Sequence, residues 1–288
     1  MLGIPFHIFA WIASVMYGLE TIVGKLTSRH AIQNPWLFNF LWSLFILLLM
    51  VPVALANGAG IPTHWLFIIA ASFFYAAASA LFVLALYKLD VSVLAPLFSF
   101  RTAMAVILGA LFLGEVLTLH QYLLIGVIFV FGIFVAVDER FNLRSFFTRG
   151  TAIALLSMLA LVLMAIFTKK AIAETTFWDA SIWIALLGQL WLLPTIALFK
   201  RELAATTAKQ YGIVFATALA GVVGTLAANA AYAANVSIAA TIISLPFSMV
   251  LAFLFSVFAP ELLEHHTLKV YAVRFVSATI VIVAALNL

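Results

Sequence analysis

Two ionisable residues stand inside apolar runs long enough to cross a bilayer. Arg101 lies near the middle of the run from Val91 to Glu115, and Glu20 lies inside the first run, ahead of Lys25. About twenty apolar residues span the hydrocarbon layer as a helix. A bare cation half-way across costs at least ~2.5 kcal/mol on the most forgiving scale. Arg101 must therefore face water, a partner or a ligand, which implies a polar cavity inside a helical bundle. A guanidinium fork matches a carboxylate or phosphate, so one reading of Arg101 is an anion-binding group. The other is structural, an ion pair with Glu20 or bonds to backbone carbonyls. Glu20 divides the same way: a carboxylate reaching the interface or a lysine, or a protonatable group that relays protons in transport.

Polar residues of a second kind surround these charges. Asn39, Gln189 and Asn229 are amides inside apolar runs, where hydrogen bonding between helices is the usual role. Trp11, Trp42, Trp183 and Trp191 supply aromatic surface, and aromatic rings near membrane ends anchor the interface. Tyr17 and Tyr75 lie deeper and could line a cavity with their hydroxyls turned inward. Pro96 and Pro246 each remove a backbone donor near the middle of a run, making both candidate hinges. The turn Glu261-Leu-Leu-Glu264-His265-His266 invites a metal reading, but it lacks helical ligand spacing and reads as a solvated loop. Asn235-Val-Ser237 fits a glycosylation acceptor formally, in a turn too short to make one plausible. Glycine-rich nucleotide loops, aspartate-rich metal motifs and nucleophile elbows are absent from the sequence. No catalytic residue, metal site or cofactor is expected.

The elements that position these residues follow from composition. Of 288 residues 67% are hydrophobic and 8% charged, against about 25% charged in a soluble domain. The mean hydropathy is +1.25. Such a chain has too little polar surface for water on all sides and is expected to be a multi-pass membrane protein. The net charge of +4 is scattered through short loops, which argues against nucleic acid and for anchoring charges. With no cysteine, disulfides and thiolate chemistry are excluded. The first run begins almost at Met1 without a basic leader and reads as the first spanning helix.

Pro, Gly and charged residues divide the chain into ten apolar segments, near 5–25, 35–56, 65–87, 91–113, 120–137, 150–171, 178–199, 211–233, 237–258 and 268–286. Internal repetition runs through them. Tyr87 and Tyr232 are 145 apart, as are Val91-Ser92 and Val236-Ser237, Ser99 and Ser244, and Met104 and Met249. Trp36 and Pro52 match Trp178 and Pro194 at 142, and Lys25 matches Lys169 at 144. The fold expected is all-α: ten transmembrane helices in two five-helix repeats, 1–137 and 150–288, joined by a linker at 138–149. An odd number of crossings makes the second repeat enter from the opposite side, a common layout of secondary transporters. Small residues at 76–80 and 227–231 allow close helix approach and suggest that the third and eighth helices are paired central elements, facing the fourth and ninth. Basic residues collect on the face carrying Lys25 and Lys88, which by the positive-inside rule places both termini outside.

The end of each half resembles the EamA-type domain of the drug/metabolite transporter superfamily. The pieces are Pro96, then Leu111-Phe-Leu-Gly114-Glu115-Val-Leu-Thr118, then a helix containing Gly126. A degenerate second copy reads Phe258-Ala-Pro-Glu261-Leu-Leu, and Tyr17-Gly18 with Lys25 is similar to the family's first-helix pattern. The resemblance implies an inverted-repeat carrier of small metabolites, often an exporter of amino acids. It also implies a central cavity lined by helices 1, 3, 4, 6, 8 and 9, on which Tyr17, Tyr75, Arg101 and Asn229 fall. Aromatic-amino-acid exporters of the family carry an aromatic residue near the place of Arg101, so the arginine leans toward an anion-bearing solute. Members usually keep both termini in the cytoplasm, opposite to the charge count.

The expectation is a secondary transporter, exporter or exchanger, of a small polar or anionic metabolite such as an amino acid. It would sit in the inner (plasma) membrane among lipid, with protons as possible coupling ion. Its substrate-binding candidates are Arg101, Glu20, Tyr17, Tyr75 and Asn229, and its hinges Pro96 and Pro246. The competing class is an intramembrane enzyme acting on lipid head groups.

Overall fold

The computed structural model describes residues 5–113, 117–135, 146–234, 242–243, 245, 247–259, 261–263 and 266–287. Pro246, the Gly114-Glu115 pair, the Asn235–Ser237 turn, Glu264, His265 and most of the 138–149 linker lie outside the described residues.

Every described element is helical. In chain order they are α1 (Phe6–His30), α2 (Pro35–Ala56), α3 (Leu66–Lys88), α4 (Val91–Leu97), α5 (Phe100–Leu113) and α6 (Leu119–Val135), then α7 (Arg149–Glu174) and α8 (Phe177–Leu192). A 3-10 turn (Leu193–Leu198), α9 (Lys200–Ala205), α10 (Ala208–Ala234), α11 (Phe247–Phe258) and α12 (Leu268–Leu286) follow among the described residues. Among the described residues eight helical segments are long and apolar enough to cross a membrane; α6 and α11 are shorter apolar helices. This is a multi-pass integral membrane protein, because lipid tolerates only backbone whose hydrogen bonds close within the segment.

The helix starts are written locally. Asn34 caps α2 by accepting from the backbone N–H of Trp36 and Leu37, with Pro35 in the first turn, where a missing N–H costs nothing. Thr148 and Thr176 cap α7 and α8 in the same way. Thr118 with Gln121, and Thr207 with Gln210, exchange reciprocal backbone–side-chain bonds at the starts of α6 and α10, a capping box in each case. Past the end of α2, Gly58 adopts φ +80°, where a Cβ would be strained.

Two expected spans are interrupted. The run 91–113 is two helices rather than one, since the chain makes i→i−3 bonds from Phe98, Ser99, Arg101 and Thr102 just after Pro96. The span expected at 178–199 turns 3-10 at Pro194, whereas Pro52 sits inside an uninterrupted α2.

Pairing differs from expectation in one respect. The small-residue segments of α3 and α10 do not pack on one another; α3 packs on α7 and α10 packs on α1. Ala10 and Ala13 of α1 meet Ala227, Ala228 and Ala231 of α10, all buried. Alanines without longer neighbours let two backbones approach closely in lipid, and that closeness serves whichever helix presents a matching strip. Phe67, Phe74 and Phe167 stack in the α3–α7 contact. The remaining main pairings are α2 with α8 and with α10, α3 with α8, α4 and α1 with α11, and α6 with α12.

Helix ends are tied on both faces. On one, Gln210 Nε2 donates to Ala31 O at 2.6 Å, Asn34 Nδ2 to Leu198 O at 3.2 Å, and His30 Nε2 lies 3.0 Å from Leu262 O. On the other, Gly60 N–H donates to Asp179 and Trp183 Nε1 donates to Gly60 O at 2.8 Å.

Candidate functional site

Tyr17 and Glu20 are one turn apart on α1 and both point at α10. The Tyr17 hydroxyl donates to Thr225 Oγ1 at 3.3 Å. Its ring lies over Gly224, where an added Cβ would stand 3.0 Å from the ring edge. The Glu20 carboxylate lies against Gly221, so close that a Cβ there would be 2.1 Å from Oε1. Glycine spacing on α10 thus makes the room that a tyrosine and a glutamate occupy between two close helices.

Tyr75 reaches the same neighbourhood from α3. Its ring packs on Gly188 of α8, and its hydroxyl stands within electrostatic reach of Ser43 and Glu20. Trp42 of α2 is likewise within reach of the Glu20 carboxylate, although its Nε1 makes no hydrogen bond of good geometry. The structure therefore brings Tyr17, Glu20 and Tyr75 together with Trp42, which the sequence marks only as aromatic surface, and with Ser43 and Thr225, which it does not mark. Serines and threonines recur throughout the apolar runs, so nothing distinguishes these two.

Asn229 lies one turn beyond Thr225 on α10, half-buried. Arg101 stands apart. It is exposed in the first turn of α5, immediately after the break. Trp42, Phe82 and Phe98 form a chain of ring contacts, at 6.0 and 5.7 Å, between the surroundings of Glu20 and the break that carries Arg101. Among the described residues neither Glu20 nor Arg101 forms a salt bridge. The structural reading of Arg101 as the partner of Glu20 is thus not what the side chains do. Pro96 is buried, as is every other residue of α4.

Lys25, which could have paired with Glu20, donates to Leu86 O and Leu89 O at 2.6 Å each. Gln189 meets the expectation of interhelical bonding, with Nε2 donating to Phe40 O at 3.4 Å. Asn39 does not: both its amide atoms are buried without a hydrogen-bond partner among the described residues.

Glu261 and Leu262 are exposed, as a solvated loop implies, but His266 at its end is not free: its Nε2 lies 2.8 Å from Asp90 Oδ2. Arg29 and Arg274 approach the same carboxylate at 4.0 Å, and Arg274 Nη1 donates to Ser92 Oγ at 2.5 Å. Burial at the head of α4 pushes the Asp90 carboxyl up. The His266 hydrogen bond and the charges of His266, Arg274 and Lys25 outweigh it and hold the group below its ordinary value. Arg274, only 2% exposed, is a second intramembrane arginine. The reasoning that singles out Arg101 would have found it in the last apolar run.

Two clefts open at the ends of the bundle. One of ≈ 630 Å³ is lined by residues 31–37 with Glu202 and Gln210, the other of ≈ 360 Å³ by His120, Thr279 and Asn287 among apolar neighbours. Neither is lined by Glu20 or Arg101. Among the described residues no cluster of three His, Cys, Asp or Glu could hold a metal ion.

A carboxylate, two tyrosines and the hydroxyls of Ser43 and Thr225 thus lie among α1, α2, α3 and α10. The model of the EamA-like transporter family matches residues 4–137. That half of the chain belongs to the EamA-like transporter family, within the drug/metabolite transporter superfamily. No curated protein sequence matches the chain.

Proposed function

We propose that the protein is a secondary transporter, exporter or exchanger, of a small polar or anionic metabolite such as an amino acid or a related compound. It works by alternating access between two inverted five-helix halves, 1–137 and 150–288, joined at 138–149, in the inner (plasma) membrane. Support for the two halves comes from the pairing pattern. Exchanging first-half helices for their second-half counterparts turns the α1–α10 contact into α7–α3 and the α2–α10 contact into α8–α3, all of which occur. The α2–α8, α6–α12 and α4–α11 contacts map onto themselves.

The observation that carries the functional reading is the convergence of Glu20, Tyr17 and Tyr75 from two helices onto glycines of two others. A carboxylate held in an apolar bundle with no salt bridge among the described residues, as Glu20 is, suits a solute or a proton. Arg101 and Asn229 extend the binding set, Arg101 for the anionic group of the solute. Glu20 is the proton-coupling group. Pro96 and Pro246 are the hinges, and the i→i−3 run after Pro96 supports the first of them. Neither the family match nor the geometry favours an intramembrane enzyme.

The test is saturable counterflow in proteoliposomes loaded with amino acids, sugar phosphates or organic acids. Glu20→Gln should abolish proton-dependent uptake, and Arg101→Gln should abolish binding of the anionic solute while the protein remains folded. Full proton-dependent flux in Glu20→Gln ends the coupling role. Flux absent for every solute class ends the carrier reading. Accessibility of a terminal tag decides between the orientation of the charge count and that of the family.

A further inference from the structure

One face of α2 carries Asn39, Trp42 and Ser43 at helical spacing, and Gln189 of α8 packs beside it through its bond to Phe40 O. Asn39, Ser43 and Gln189 are 1%, 2% and 6% exposed. Among the described residues five polar atoms here have no hydrogen bond of good geometry: Asn39 Nδ2 and Oδ1, Trp42 Nε1, Ser43 Oγ and Gln189 Oε1. Trp42 and Ser43 stand within reach of Glu20 and Tyr75, which leaves the Asn39 amide and the Gln189 oxygen as the groups without a polar neighbour in reach. Folded proteins rarely leave such groups unmatched, and a membrane interior offers no lipid-side water to match them. Donors and acceptors occur in both kinds: an indole N–H, an amide N–H, two amide oxygens and a hydroxyl. That set suits an uncharged group that both donates and accepts, and it lacks the fixed charge that an anion or cation would need. Tyr75, near Ser43 and Glu20, borders this face on the side of the cluster described above.

The geometry points to a neutral subsite of the transport path, in which Asn39, Ser43 and Gln189 bind a hydroxyl or carboxamide group of the solute when the carrier opens. This rests on the carrier reading and adds to it: the charged candidates hold the ionic groups of the solute, and α2 with α8 discriminates its side group. A site built to hydrogen-bond a hydroxyl or amide rejects the analogue lacking it, because its own buried polar groups are then left unpaired.

The chain contains no cysteine, so single-cysteine variants can be read without background. Ser43→Cys is nearly isosteric, and Gln189→Cys is its second. Ser72→Cys is the control, since Ser72 is fully buried and its hydroxyl both donates to Ile69 O and accepts from Trp191 Nε1. The intact protein in liposomes is treated with a water-soluble trimethylammonium methanethiosulfonate. Ser43→Cys and Gln189→Cys should react at least about tenfold faster than Ser72→Cys, the mark of an opening that exposes one site and not the other. L-Serine or L-glutamine should slow the reaction, while the matched L-alanine and L-norleucine should not. Reaction no faster than in Ser72→Cys overturns the proposal, and so does fast reaction that no solute slows. Counterflow with unreactive thiols leaves the carrier standing and removes the subsite. Protected thiols without counterflow keep the subsite and remove the carrier.

Discussion

Replacing Gly221 by alanine tests whether the α1–α10 contact is built around the Glu20 carboxylate. An added Cβ would stand 2.1 Å from Oε1 and 2.7 Å from Cδ of Glu20, far inside the ~3.5 Å of comfortable contact. Either the carboxylate rotates away or the two helices separate. Overpacking of this kind costs about 1–3 kcal/mol. Against it, alanine in a helix gains up to about 1 kcal/mol over glycine. The net loss expected is about 0–2 kcal/mol. In a Glu20→Ala background the obstacle is gone and only the propensity gain remains, so the same substitution should stabilise. The two changes should therefore couple by about 1–3 kcal/mol. Thermal unfolding of the parent, both single variants and the double variant in detergent measures that coupling, with counterflow as a second readout. Equal melting shifts in the two backgrounds would refute the placement of Glu20 against α10.

Three further outcomes follow from contacts described above. Gly188→Ala brings a Cβ to 2.4 Å from Cδ1 of Tyr75, and a ring cannot fold away as a carboxylate can. The melting temperature should fall by the equivalent of about 1–3 kcal/mol, with recovery in Tyr75→Ala. Asn34→Ala removes the two bonds that cap α2 and should cost about 1 kcal/mol in a melting experiment. Because the folded protein holds Asp90 below its ordinary value, the unfolded chain binds its proton more readily. The stabilisation is complete above about pH 4, the unfolded value, and is lost as pH falls further through the folded one. The melting difference between parent and Asp90→Asn should therefore shrink as the buffer is taken from neutral to below about pH 3, and a constant difference would contradict the cluster.

Much of the helix layout was legible because apolar length and caps are local. Residues 35–56 and 268–286 are helices with the bounds read from the sequence. Partner choice was not legible. The alanine strips of α3 and α10 advertise close packing without saying against which helix, and they pack on α7 and α1 respectively. Arg101 and Glu20 were visible as charges out of place, yet their separation by aromatic rings depends on how four helices cross. Asp90, His266 and Arg274 come from a turn, a loop and the last helix, and no spacing in the chain links them. Trp42 and Ser43 gained meaning only once Glu20 and Tyr75 were found beside them.

α4 has no outward side at all, since each of its seven residues is buried, whereas α5 begins with Arg101 and Thr102 exposed. A segment sheathed by protein all round is blind to bilayer thickness, while its continuation is not. Of the two pieces of this crossing, α5 is therefore the one whose surface can answer to the thickness of the acyl layer. The protein carries within one crossing a stub sheathed by its own helices and a rod that is not.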